Sequence, residues 1–177
     1  MKKLFCALMA LLMLCGVCLA EEMDAQDYGD FTIALPELSQ AEYQEKADGA
    51  YLFYGAATYF GSPVVLQCQW HEAYQPVTAE EALAALDAET AGQGIAISDS
   101  RVERDEEMEI GGQTASVRVY VQQIQMQMAF AHFDIDACTG SVVFAHEDGS
   151  AHVFTVSASD MEALNAGLEL ISTVQWK

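Results

Sequence analysis

Apolar side chains recur at every second position over most of this chain, and at intervals of three and four in two stretches. Phe31, Ile33 and Leu35 alternate with Thr32 and Ala34 before Pro36, which predicts a strand with one apolar face. YLFYGAATYF, from Tyr51 to Phe60, is rich in strand formers, and Gly61 and Pro63 interrupt it before VVLQCQWH. On that second run Val64, Leu66, Cys68 and Trp70 share a face, so Cys68 reads as a core residue. IAISDSRVERDEEMEI reads as extended chain ending at a Gly111-Gly112 turn, and ASVRVYV and IQMQMAF continue the alternation. Their apolar face switches at Gln122 and Gln123, which predicts a bulge or bend there.

The two stretches of longer period predict helices. In TAEEALAALDAET, Thr78 and Glu81 make a capping box, and Ala79, Ala82, Leu83 and Leu86 form one stripe. Near the C-terminus Ser159 and Glu162 make a second capping box, and Met161, Leu164, Leu168 and Ile171 line one side. Gly167 costs about 1 kcal/mol inside a helix, so its presence points to close packing against a sheet. Strands, a helix, many strands and a final helix make an α+β domain, a mostly antiparallel β-sheet with two main helices packed on it.

The order FTIALP, mid-chain helix, long antiparallel meander and terminal helix closing on ELISTVQW resembles the PsbP-like α/β/α sandwich. That fold is named for an extrinsic photosystem II subunit and recurs in secreted bacterial proteins of unknown role. The resemblance implies an accessory or binding protein rather than an enzyme, and it assigns no functional residue.

The first residues change the picture of location. Lys2 and Lys3 precede an apolar run from Leu4 to Val17, and Ala20 stands before Glu21 and Glu22. This layout predicts a secretory signal peptide over residues 1–20, cleaved after Ala20. The run falls short of the ~20 residues that span a membrane, and Val17 before Cys18 and Leu14 before Cys15 do not make a lipobox. Residues 21–27 then read as a flexible acidic leader and 28–177 as a single domain. The expected protein is exported, without a lipid anchor.

Charge narrows the partners. With 27 acidic and 7 basic residues the chain carries a formal charge of −20, and cleavage would remove two further lysines. Such a surface repels phosphate backbones, so nucleic acid and anionic membranes are poor partners, and no nucleic-acid partner and no membrane span in the mature chain are expected. An unknown protein or small-molecule ligand remains, with no cofactor expected. Two cysteines, Cys68 and Cys138, survive cleavage; they are the candidate disulfide of an exported protein, or plain buried hydrophobes.

Chemistry-bearing residues are few. HFDIDACTGS, from His132 to Ser141, sets His132, Asp134 and Asp136 on one strand face and makes them the candidate metal ligands. Along a strand the outer two stand about 13 Å apart, and the spacing does not meet the Asp-x-Asp-x-Asp-Gly of a calcium loop. The stretch therefore reads as a strand whose Phe133 and Ile135 face the core, followed by a tight turn over 136–140. A two-residue Asp148-Gly149 turn would set His146 and His152 on opposite faces, whereas a three-residue loop would pair them. Met126 and Met128 read as core fillers rather than copper ligands. Cys68 and His71 point to opposite faces of their strand, which opposes a thiol enzyme, and no Gly-x-Ser-x-Gly elbow is present. The expected interaction surface is aromatic: Tyr51, Tyr54, Tyr59, Tyr74 and Trp176. The alternatives are a hydrolase whose site is assembled from distant residues, or a metal-binding protein built on histidines.

Overall fold

The computed structural model of the chain describes residues 23–36, 40–43, 51–59, 62–128 and 131–177. The predicted signal peptide therefore lies outside the described residues. Among the described residues ten strands form two antiparallel sheets. The small sheet runs β1–β2–β10, with β1 (Met23–Asp27), β2 (Phe31–Pro36) and β10 (Gln175–Trp176). The large sheet runs β3–β4–β5–β9–β8–β7–β6. Its strands are β3 (Gln40–Tyr43), β4 (Tyr51–Tyr59), β5 (Ser62–His71), β6 (Ala96–Ile110), β7 (Gln113–Met128), β8 (Ala131–Ala145) and β9 (Ala151–Ala158). Helix α1 (Ala79–Gly92) packs on β6 and β7, and helix α2 (Met161–Ile171) packs on β9, β5 and β8 and touches β2.

One face of the large sheet makes the core. Its aligned rows include Leu66, Val156 and Gly140, then Cys68, Phe154 and Val142. Beside them Val117, Val119 and Val121 continue the face onto β7. Phe31, Ile33 and Leu35 of β2 close over these rows together with Leu164, Ile171 and Val174, all buried. Met161 and Leu168 pack on the core from partly buried positions, so the predicted α2 stripe is the one that docks. The predicted approach at Gly167 is also present: a Cβ there would stand 2.4 Å from Val156 Cγ1.

The helix starts were legible to within a residue. Thr78 caps α1 through the expected box with Glu81. For α2 the cap is Asp160 rather than Ser159, because the Asp160 carboxylate accepts the Ala163 N–H at 2.8 Å. Gly111 and Gly112 both adopt positive φ in the predicted turn between β6 and β7.

Four expectations are corrected. Met23–Asp27 belong to no loose leader; they pair with Pro36 back to Thr32 as strand β1. Their polarity hid a strand held by ladder bonds rather than by burial. The turn over 136–140 does not exist, since β8 runs unbroken through it. Gly140 is there because α2 crosses it, and a Cβ would meet Leu168 Cδ2 at 2.9 Å. The bulge expected in β7 lies on its neighbour: β6 slips register at Ser98 and Glu103 while β7 pairs evenly with β8. The apolar face changes along β7 because the cover changes. Val117, Val119 and Val121 face the core, while Tyr120 and Gln122 are buried on the opposite face, which carries α1. Last, Phe133 and Ile135 do not face the core and are 40% and 38% exposed.

Candidate functional site

The chemistry gathers at the β8–β9 turn. The strands part after the pair Ala145–Ala151, leaving a loop of residues 146–150. His146 N–H donates to the Ser150 carbonyl at 2.9 Å, and Gly149 N–H donates to the His146 carbonyl at 3.0 Å with φ of +85°. The Asp148 carboxylate accepts both the hydroxyl and the N–H of Ser150, at 2.6 and 2.9 Å. Those two bonds hold its carboxyl below the usual carboxylate range.

This loop brings the histidines together, contrary to the two-residue turn expected. His152 pairs with Phe144 on the core face and is 2% exposed. His146 folds back over it, and His146 Nε2 lies 2.8 Å from His152 Nδ1, the rings edge to face. The far nitrogen of His152, Nε2, stands 3.3 Å from Asp30 Oδ2 in the β1–β2 turn. His146 and His152 thus share one ring-to-ring hydrogen bond, and the Asp30 carboxylate stands beside the far nitrogen of His152. The result is a chain of carboxylate, imidazole and imidazole.

Strand β10 completes the wall. Trp176 pairs with Phe31 in the small sheet, and its ring centroid lies 5.1 Å from that of His152 and 5.5 Å from that of His146. Lys177 follows, its N–H bonded to the Asp30 carbonyl and its ammonium to Asp27, whose carboxyl is held low chiefly by that bond. These groups, with Trp70 and Gln113, line an open polar cleft of about 370 Å³. Tyr28 sits beside it, buried against Phe31, and burial pushes its phenol up to about 12. A second, more apolar groove of about 360 Å³ runs along α2 between Leu168 and Met108, with Arg104 and Glu169 among its lining.

The residues singled out from sequence fare differently. Asp134 and Asp136 are exposed on β8, far along the strand from the cleft, and the side chain of His132 lies outside the described residues. Among the described residues no group of three or more His, Cys, Asp or Glu side chains is arranged to hold a metal ion. Trp176 and Tyr74 are partly buried; Tyr74 N–H is tied to the Gly149 carbonyl of the same loop. The side chains of Tyr51, Tyr54 and Tyr59 also lie outside the described residues. Cys68 and Cys138 are both buried and are not joined to each other. Strand β9 lies between them, about 10 Å of sheet, and their register offset adds about 13 Å along the strands, beyond disulfide reach. Burial pushes the Cys138 thiol up, which leaves it inert as a nucleophile.

Asp30, Gln113 and Lys177 carried no signal in the sequence. Asp30 and Lys177 reach the cleft through the pairing of β2 with β10, segments more than a hundred residues apart, and Gln113 reaches it from the start of β7. The histidines did carry one, in the length of their loop.

The antiparallel sheets and the two helices among the described residues make an α+β fold, and that fold is PsbP-like. A solved structure that covers nearly the whole chain is cyanobacterial PsbP (CyanoP) from Synechocystis sp. PCC 6803. It is 11% identical, with a TM-score of 0.52 over 92% of this chain and 96% of that one. A protein of unknown function from Pseudomonas aeruginosa aligns at 10% identity and a TM-score of 0.36, over 84% of this chain and 90% of that one. No protein-family model and no curated protein matches the chain. Among the described residues no helix is long and apolar enough to cross a membrane.

Proposed function

We propose that this is an exported, acidic accessory protein that binds its ligand in the cleft walled by His146, His152, Trp176 and Asp30. The convergence of that cleft carries the reading: four separate segments supply its polar groups, and the fold spends a buried histidine on it. Buried polar groups are costly unless satisfied, and a cleft with few, convergent polar groups is the ordinary form of a binding site. The signal-peptide layout and the formal charge of −20 support export and a partner that is not polyanionic.

The second reading is an enzyme. The Asp30–His152–His146 chain has the form of an acid–base relay. Its described hydrogen bonds run from His146 to a second imidazole, where a hydrolase would place a nucleophile, so binding is the better account.

A fragment screen by NMR tests the proposal, with the indole N–H of Trp176 and the imidazole C–H signals as reporters. Hits that shift both, and lose their effect in His146→Gln, support the cleft. Hits confined to the α2 groove would move the binding site there. Turnover of a chromogenic ester or phosphoester, lost in His152→Gln, would instead establish the enzyme.

A further inference from the structure

We infer that the side chain of His146 is a proton-operated gate over the cleft, closed on His152 and Trp176 when either imidazole is neutral and open when both carry a proton. The inference rests on the reading of the cleft as a binding site and gives that site its regulation.

The contact itself sets the rule. His146 Nε2 and His152 Nδ1 stand 2.8 Å apart. Such a bond needs one hydrogen between the two nitrogens, whichever ring supplies it. Two neutral imidazoles meet that condition. A pair with one extra proton meets it too, because the imidazolium donates and the neutral ring accepts. A second extra proton puts a hydrogen on both facing nitrogens. The bond is then lost and two like charges stand against each other. The closed gate thus refuses a proton that the open gate takes up, so closure weakens as pH falls.

Burial decides which ring moves. His152 is 2% exposed and held among Phe31 and Trp176 on the core face, so it stays. His146 is partly buried, on the loop, beside an open cleft. Its ring can turn out about its own side-chain bonds. The loop keeps its shape meanwhile, because His146 N–H to the Ser150 carbonyl and Gly149 N–H to the His146 carbonyl are backbone bonds. Departure uncovers His152 Nδ1 and the side of Trp176 that the His146 ring now covers at a centroid distance of 5.5 Å.

The charges around the pair allow the change. Asp30 of the β1–β2 turn stands 3.3 Å from His152 Nε2 and favours a proton on that ring. Glu147 and Asp148, exposed on the loop, favour one on His146. Lys177 of β10 opposes both, but its ammonium is bonded to Asp27 of β1. Strands β5 and β8 present Trp70 and Phe144 opposite His152, and neither is charged. The carboxylates outnumber the ammonium, so the surroundings accept a doubly protonated pair once the rings part.

The test is an NMR titration of the protein from about pH 8 to about pH 5, where imidazoles change charge. The two imidazoles should titrate in two coupled steps. Nuclear Overhauser contacts between the His146 ring and the Trp176 indole should persist through the first step and vanish with the second. In that range the open fraction should grow by up to about tenfold per pH unit, the limit for one proton. Amides of β8 and β9 should stay protected throughout. Asp30→Asn should move the opening to lower pH. In His146→Gln, whose amide both donates and accepts at every pH, the contact of residue 146 with Trp176 should survive acid. Contacts that outlast the second proton, that vanish equally in His146→Gln, or that vanish together with the β8 and β9 protection would overturn the gate. If the gate fails while fragment hits persist at Trp176, the cleft stands without it. If the gate opens as expected but no fragment binds, the reading of the cleft falls and the gate remains.

Discussion

Gly140 of β8 lies directly under Leu168 of α2. A Cβ at 140 would stand 2.9 Å from Leu168 Cδ2 and 3.4 Å from Leu164 Cδ1. The strand has no side chain here so that the helix can sit down on the sheet. Gly140→Val should cost about 1–3 kcal/mol through overpacking. Leu168→Ala in the same chain should recover part of that loss, because it removes the clashing carbons. A double-mutant cycle by urea unfolding measures the coupling, and additive losses would show that the two residues do not press on each other.

Gly167 makes the reciprocal contact from the helix. Alanine is the better helix former by about 1 kcal/mol, so propensity alone predicts that Gly167→Ala stabilises. The added Cβ would lie 2.4 Å from Val156 Cγ1 and 2.9 Å from Val64 Cγ1, on strands whose branched side chains are stiff. We expect a net loss of about 1–3 kcal/mol, read as a lower melting temperature. Leu164→Ala, at a fully buried position, should cost about 2–5 kcal/mol, and Leu168→Ala, partly buried, should cost less.

On the other face of the sheet, Gln122 is 3% exposed and donates to the Asp87 carboxylate at 2.7 Å, while Thr90 donates to its carbonyl oxygen. Asp87 also accepts from Ser100. In α1 only Ala79 is fully buried, so this polar clamp does much of the holding. Asp87→Ala leaves a buried amide without its acceptor and should cost about 1–3 kcal/mol. Hydrogen exchange should show α1 loosening before β8 and β9 do.

Tyr28 predicts an alkaline effect. Its phenol is raised to about 12 in the folded chain by burial, against about 10 when unfolded. The folded state therefore keeps a proton that the unfolded state has lost. Stability from this group is complete below about pH 10 and falls as pH rises towards about 12. Melts of Tyr28→Phe between those values should fall less steeply than those of the native chain. Parallel curves would mean that the phenol titrates alike in both states.

Two apolar side chains near the start of β8 give a surface prediction. Phe133 and Ile135 are exposed, so Phe133→Ser and Ile135→Ser should change stability by no more than about 0.5 kcal/mol. Losses of several kcal/mol, seen in urea titrations, would place both side chains in a core.

The repeating pattern of the chain determined its elements and their inner faces. Period two marked β2, β5 and the run of β7, and period three-to-four with an acidic or hydroxyl cap marked both helices, because amphipathicity and capping act within a few residues. Gly167 even announced its close approach. Tertiary structure decided what depends on the neighbour. Thr139-Gly140 reads locally as a turn, yet α2 crossing above makes it a strand interior. Gln122 and Gln123 look like a bulge in β7, yet the change of cover from α2 to α1 explains the switch, and the bulges sit in β6. Phe133 and Ile135 alternate as a core face does, but exposed strand and buried strand alternate alike. His146 and His152 met through a loop longer than its Asp-Gly signal implied. Asp30, Trp176 and Lys177 joined them only because β1, β2 and β10 pair across nearly the whole length of the chain, a contact no local pattern records.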